Sequence, residues 1–267
     1  MRNVQFITRG DDIGSSHSAN LAGQKVADAG LIRNLSLMAP GPFIEEAAAM
    51  LAGRKDICFG MHTTLNAEWD RAKWGPVRMP GNQSGLVDQN GHLLPDPAAF
   101  TETKPALDTV MAEVKAQLER LRGLGFEIRY IDTHMFPERF IPGFDEAMQA
   151  FVIREGLIDH MYFYRFPDGM REFAKDPKRP LAYLRKIPAG QYFLVAHPAL
   201  DTPEMRQTGN ADYSGEAIAR GRAAETKMYS SFITKALFAL AGCKTIRYDE
   251  AQMGERLTVD DICKLMN

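Results

Sequence analysis

Two adjacent carboxylates, Asp11 and Asp12, stand in Thr-Arg-Gly-Asp-Asp-Ile-Gly at 8–14, directly behind a short apolar run at 4–7. Neighbouring residues on a strand point to opposite faces, and two carboxylates side by side repel. At a strand-to-loop junction they can splay apart, one onto a cation and one towards a substrate. Asp-Asp-x-Gly is equally good turn chemistry, because Gly14 tolerates positive φ. Three of the six histidines tilt this balance: His62 follows Cys-Phe-Gly-Met, His134 follows Tyr-Ile-Asp-Thr, and His197 follows Phe-Leu-Val-Ala. If the strands are parallel, all three share one rim with the aspartates, since the chain leaves each strand at its C-terminal end. A borderline divalent metal accepts imidazole nitrogen and carboxylate oxygen at about 2.0–2.2 Å, and a catalytic site keeps a position open for water. Two histidines and one carboxylate meet that need.

Asp132, two residues before His134, falls on the same strand face and is placed to fix that ring's tautomer by accepting its other N–H. A turn residue at the strand end is the competing role. His17 at the entrance of the first helix, His92 in Asn-Gly-His, and His160 read as structural. Glu68-Trp69 and Lys73-Trp74-Gly75-Pro76 offer aromatic faces suited to stacking on sugar rings, or to a local mini-core that anchors a loop. Arg165, in Tyr-Arg-Phe-Pro, is a candidate to reach the same rim, with a surface ion pair as its alternative.

These residues need a scaffold of strands that all end on one side. The pattern alternates: strand 3–8, helix 18–29, strand 32–38, helix 43–51 and strand 57–61. After these, the spacing predicts an amphipathic helix over 106–124, a strand over 127–132, a helix over 144–155 and a strand over 160–163. Strand 190–196 leads to His197, and residues 215–240 read as one long helix that Gly221 invites to break. A short strand at 245–248 and a Thr258-capped helix close the chain. Between 66 and 103 the texture turns to Gly, Pro and Asn with both tryptophans, a long excursion of the kind that usually carries function. Residues 167–190 read as an irregular connection with one short helix. Six or seven β/α units predict a parallel sheet and an α/β barrel-like fold, a seven-stranded or irregular TIM-type barrel, as a single domain over 1–267.

The chain's 267 residues and 45% hydrophobic content can bury a full core. A net charge of −2 and a pI near 6.3 give no footprint for nucleic acid and no polybasic membrane patch. No apolar run is long enough to span a membrane, and the N-terminus lacks an export signal, so a cytoplasmic protein is expected. Cys58, Cys243 and Cys263 are odd in number and far apart, which suggests free thiols.

Several segments together resemble the YdjC-like carbohydrate deacetylase family, sometimes named after its chitooligosaccharide deacetylase member. They are 9–14, Asn-Leu-Ser-Leu-Met at 34–38, Gly-Met-His-Thr-Thr-Leu at 60–65, Glu68-Trp69 with Trp74-Gly75-Pro76, Ile-Asp-Thr-His at 131–134, and Ala-His-Pro at 196–198. The resemblance implies a barrel-like fold, often assembled as a homodimer, and one divalent ion, magnesium or zinc. It makes Asp12, His62 and His134 the metal ligands, Asp11 the general base and His197 the general acid. The implied reaction removes an acetyl group from an N-acetylated sugar. Two departures bear on the substrate: Thr133-His134-Met135-Phe136 replaces a histidine-rich stretch, and Arg9-Gly10 replaces the usual Asn-Ala. Arg9 would sit near the base, lowering its pKa or contacting an acidic substrate. Alternatives are a metal-dependent barrel isomerase or phosphodiesterase, and a sugar-binding protein without activity.

Overall fold

A computed structural model describes residues 3–78, 85–170 and 179–266. All seven strands are parallel: β1 (Val4–Ile13), β2 (Asn34–Leu37), β3 (Cys58–Thr63), β4 (Ile128–Thr133), β5 (Ile158–Asp159), β6 (Gly190–Ala196) and β7 (Cys243–Ile246). Their order is β5-β4-β3-β2-β1-β6, with β7 added on β1. β1 is the hub. It pairs with β6 over Val4–Gly10, with β7 over Val4–Ile7 and with β2 over its second half. Asn34 stitches these strands, donating to the carbonyls of Thr8 (2.9 Å) and Ile246 (3.1 Å) and accepting from the Tyr248 amide (2.8 Å). The end strands β5 and β6 do not pair among the described residues, so the sheet is an arc of a barrel and not a closed TIM-type ring.

Among the described residues the helices are α1 (His17–Ala29), α2 (Ile44–Leu51), α3 (Phe100–Thr103), α4 (Leu107–Gly123), α5 (Phe144–Glu155), α6 (Pro180–Leu184), α7 (Gly215–Tyr229), α8 (Phe232–Leu240) and α9 (Val259–Met266). Ser16 caps α1 by accepting from the Ala19 amide, and Gly30 ends it in the left-handed region at φ 75°. α4 buries Val110, Val114, Leu118 and Leu121, the stripe its periodicity predicts. These side chains join an outer core with Leu35, Leu37, Ile44 and Leu51. Each such burial contributes about 1.5–3 kcal/mol. Inside the arc lies a second core of Ile7, Phe193 and the hydroxyl-tipped rings of Tyr130, Tyr164 and Tyr248. None of the described helices is long and apolar enough to cross a membrane.

Three elements differ from their sequence reading. β1 extends through both aspartates to Ile13 instead of ending at residue 8. The strand expected at 160–163 is a 3₁₀ turn, His160–Tyr162, because the Asp159 side chain accepts from the Met161 amide at 2.9 Å and turns the chain. The helix at 215–240 breaks at Ser230-Ser231, not at Gly221; Ser231 caps α8 by accepting from the Thr234 amide. In the excursion, Trp74 is buried and donates to the Asn66 carbonyl at 2.9 Å, with Leu86 and Leu93 in the same core. Glu113 of α4 holds the excursion by accepting from the amides of Val77 (2.8 Å) and Arg78 (2.9 Å). Residues 79–84 of the excursion and 171–178 of the irregular connection lie outside the described residues.

Candidate active site

The exits of the strands converge on one spot. β1 carries a register shift between Gly10 and Ile13, and Asp12 takes φ 64°. Such a bulge re-aims side chains, and aspartate tolerates the left-handed region better than most residues. The two aspartates are thereby released from opposite faces: Asp12 turns to the histidines, and Asp11 turns to Arg9. His62 lies near the end of β3. His134 follows β4 at a backbone held by its own amide donating to the Thr63 carbonyl at 3.0 Å. Met135 and Phe136 after it both have positive φ, 57° and 52°. Two consecutive non-glycine residues in that region store strain, which is common beside functional groups.

Asp12 Oδ1 is 3.4 Å from His62 Nε2 and 3.5 Å from His134 Nδ1, and the two ring nitrogens are 3.1 Å apart. Ligand atoms held at about 2.1 Å by one tetrahedral ion lie about 3.4 Å from one another. The outer atoms of each ring are already committed. His62 Nδ1–H donates to Asp132 Oδ2 at 3.1 Å, and His134 Nε2–H donates to Glu68 Oε2 at 3.0 Å. Each carboxylate so fixes a tautomer that aims a lone pair inwards. Asp12 Oδ1 is buried without a hydrogen-bond partner. With both rings neutral, three acceptor atoms therefore face one another with no donor among them, an arrangement that fits a cation.

Asp132 serves His62 and not His134, correcting the sequence reading. Asp132 and His62 are direct cross-strand partners in the β3–β4 register. His134 lies beyond the strand, where the chain turns its ring to Glu68. In the sequence, Glu68 stands only as part of a loop motif with Trp69. Asp132 Oδ2 also accepts from Ser36 Oγ (3.1 Å) and Arg9 Nη1 (2.8 Å). Arg9 donates from Nε and Nη2 to both oxygens of Asp11, each at 2.7 Å, and its Cζ stands 5.0 Å from the Phe193 ring centroid. Buried and with all three nitrogens engaged by protein, Arg9 grips Asp11 and Asp132 while also lining the cavity above them.

α7 supplies two residues that sequence reasoning missed. Arg222 Nη2 donates to Asp12 Oδ2 at 2.7 Å, and Glu225 Oε2 accepts from the His197 amide at 2.6 Å. Thr226, one residue on, donates to the Ala199 carbonyl at 2.9 Å. The i, i+3, i+4 spacing of 222, 225 and 226 marks one polar face, the one available clue.

Electrostatics follow from these contacts. Burial works to raise the Asp12 carboxyl, but Arg222 and the two imidazoles hold it well below its ordinary range. Burial also works to raise Asp11, and Arg9 outweighs it, leaving Asp11 lowered. Burial alone would lower both histidines. Asp132, Asp12 and Asp11 instead raise His62 to about 9, and Glu68 and Asp12 raise His134 to about 10. A proton held in the 3.1 Å contact between the rings is one that a cation would have to displace.

A cavity of about 200 Å³ opens over Asp11, His62, His134 and His197, walled by Phe136, Tyr164, Phe166 and Phe193. Another, of about 230 Å³, has Asp12, Trp69, Trp74 and Arg222 in its wall. Trp69 and Trp74 thus reach that second cavity, although Trp74 is first a core residue. Arg165 does not reach either. It stacks its Cζ 4.9 Å from the Tyr192 ring near the start of β6, away from the rim.

Known proteins resemble this chain over most of its length. A carbohydrate deacetylase of Thermoanaerobacter pseudethanolicus is 23% identical over 219 residues, covering 75% of this chain and 83% of its own. A carbohydrate deacetylase of Thermus thermophilus is 26% identical over 238 residues, covering 78% and 84%. The crystal structure of an Enterococcus faecalis protein named for cellobiose-phosphate cleavage superposes with a TM-score of 0.70 at 16% identity. That match covers 94% of this chain and all of the other, and shows a shared fold. The model of the YdjC-like protein family matches residues 5–239, and this chain is a member of that family.

Proposed function

We propose that this chain is a metal-dependent hydrolase that removes an acetyl group from an N-acetylated sugar or oligosaccharide. One observation carries the reading: three inward-facing acceptors, Asp12 Oδ1, His62 Nε2 and His134 Nδ1, beside a cavity that also holds Asp11 and His197. The curated relatives, named carbohydrate deacetylases, lend the substrate class. A divalent ion such as zinc or magnesium, when bound, would acidify a water and polarise the acyl oxygen.

The chain's own groups do the rest. Arg222 keeps Asp12 Oδ2 occupied, so Oδ1 alone faces the histidines. Asp11, kept ionised by Arg9, takes the proton of the attacking water. His197, partly exposed at the cavity mouth and anchored through its amide by Glu225, donates a proton to the departing amine, which otherwise leaves poorly. The aromatic wall of Phe136, Tyr164, Phe166 and Phe193 keeps bulk water from the reacting carbonyl. A homodimer, as the resemblance implies, is part of the same proposal, and light scattering on the purified chain reads the assembly.

The test is acetate release from a panel of N-acetylated mono- and oligosaccharides, with metal content measured on the same sample. Acetate from at least one sugar, dependent on bound metal, is the expected result. Metal bound with no acetate from any sugar would sink the reaction, and sugar binding without turnover would make the chain a binding protein.

A further inference from the structure

Asp11, Asp132 and His62 form a second group of buried donor atoms, all within 4.8 Å of one another, on the other side of the His62 ring from Asp12. Such a trio resembles a second metal niche, but a side chain of this protein occupies it. The Arg9 guanidinium bridges both oxygens of Asp11 and Oδ2 of Asp132, with the Tyr248 hydroxyl 3.4 Å from Nη1. Asp132 Oδ1 remains fully buried with no hydrogen-bond partner, a free ligand atom beside that guanidinium.

The charge count points the same way. Asp11, Asp12, Asp132 and Glu68 bring four negative charges to the site, and Arg9 and Arg222 bring two positive ones. One divalent ion with neutral imidazoles balances the remaining two. Without Arg9, a negative charge would be left buried and uncompensated, which is strongly unfavourable in a low-dielectric interior.

We propose that Arg9 is a built-in cation that fills the niche between the Asp11 and Asp132 carboxylates beside His62, restricting the centre to one metal ion and keeping Asp11 free of coordination. It is a positioning residue: it acts through Asp11. The inference rests on the metal reading of Asp12, His62 and His134 for the first ion, but not for the difference that Arg9 makes.

The experiment compares metal stoichiometry in the wild type, Arg9→Lys, Arg9→Met and Arg9→Met/Asp132→Asn. Each is dialysed against Mn²⁺ and separately against Zn²⁺, and the ions per chain are counted by mass spectrometry. The expected result is one ion for the wild type and for Arg9→Lys, and two for Arg9→Met. The double variant, with the surplus charge removed, should return to one. Thermal melting of Arg9→Met should recover in two saturable phases as Mn²⁺ is added, against one phase for the wild type. An Arg9→Met chain that holds no more ions than the wild type overturns the proposal, as does one that fails to fold even with millimolar Mn²⁺. A wild type that binds no ion while Arg9→Met binds one would overturn the metal centre of the proposed function and leave the role of Arg9 standing.

Discussion

Each imidazole at the centre of this site has one nitrogen committed to a carboxylate, His62 to Asp132 and His134 to Glu68, and that commitment decides which nitrogen faces inwards. The two aspartates likewise have divided partners, Asp12 with Arg222 and Asp11 with Arg9. Their predicted phenotypes differ accordingly. Asp12→Ala should retain no metal, because it removes the orphan oxygen that completes the trio. Asp11→Asn should keep its metal and lose about 10²–10⁴-fold in turnover, the usual weight of a positioned proton acceptor. Metal analysis and acetate release on the same samples separate the two, and a fully active Asp11→Asn would end the mechanism. Glu68→Gln can still accept from His134 but without charge. It should weaken metal affinity about 10–100-fold, as loss of an orienting carboxylate does elsewhere.

At the scale of elements, close packing of the strands positions these groups. Gly60 on β3 is bare because the Tyr130 ring of β4 occupies its side-chain space: a Cβ there would fall 2.2–2.5 Å from three ring carbons. Tyr130 in turn bonds Ser36 at 2.8 Å and packs 4.4 Å from Tyr248, so it cannot move alone. Gly60→Ala should destabilise the fold by at least about 1–3 kcal/mol, the range for overpacked cores, and a denaturant melt reads it. Much of this scaffold is legible in the sequence, since apolar runs that end in Asp or His announce both a strand and its functional end. Other features are not. The bulge at Asp12 depends on β1 serving three partner strands, which local pattern does not encode. Arg222 reaches Asp12 from the far end of the chain, and helical periodicity says which face is polar but not what it meets. The turn at 160–162 shows the opposite bias, where one hydrogen bond from the Met161 amide to the Asp159 side chain overrides a strand-like run.

For the whole molecule, the buried charges link stability, protons and metal. The folded pKa values of His62 and His134, about 9 and about 10, lie above the ordinary 6.5. Raised histidines stabilise the metal-free fold fully below pH about 6.5, and that contribution is lost as pH rises through about 9 to 10. The lowered carboxylates Asp11 and Asp12 work in the opposite sense. They stabilise the fold above their ordinary range and fail only as pH falls below it. A divalent ion competes with the histidine proton, so its affinity should rise with pH up to the same window of about 9 to 10 and then level off. Binding at pH 7 should therefore release protons, which calorimetry in buffers of different ionisation enthalpy would count. An ion held at about 100 times its Kd adds about 2.7 kcal/mol to the folded state. Chelation should thus lower the melting temperature little near pH 6, where a proton replaces the ion between the rings. Near pH 9 the loss should be largest, because the stripped site then has neither proton nor metal to hold Asp12 and two imidazole lone pairs together. Melting curves with and without chelator across that range check it, and a chelator effect that shrinks with rising pH would contradict the linkage.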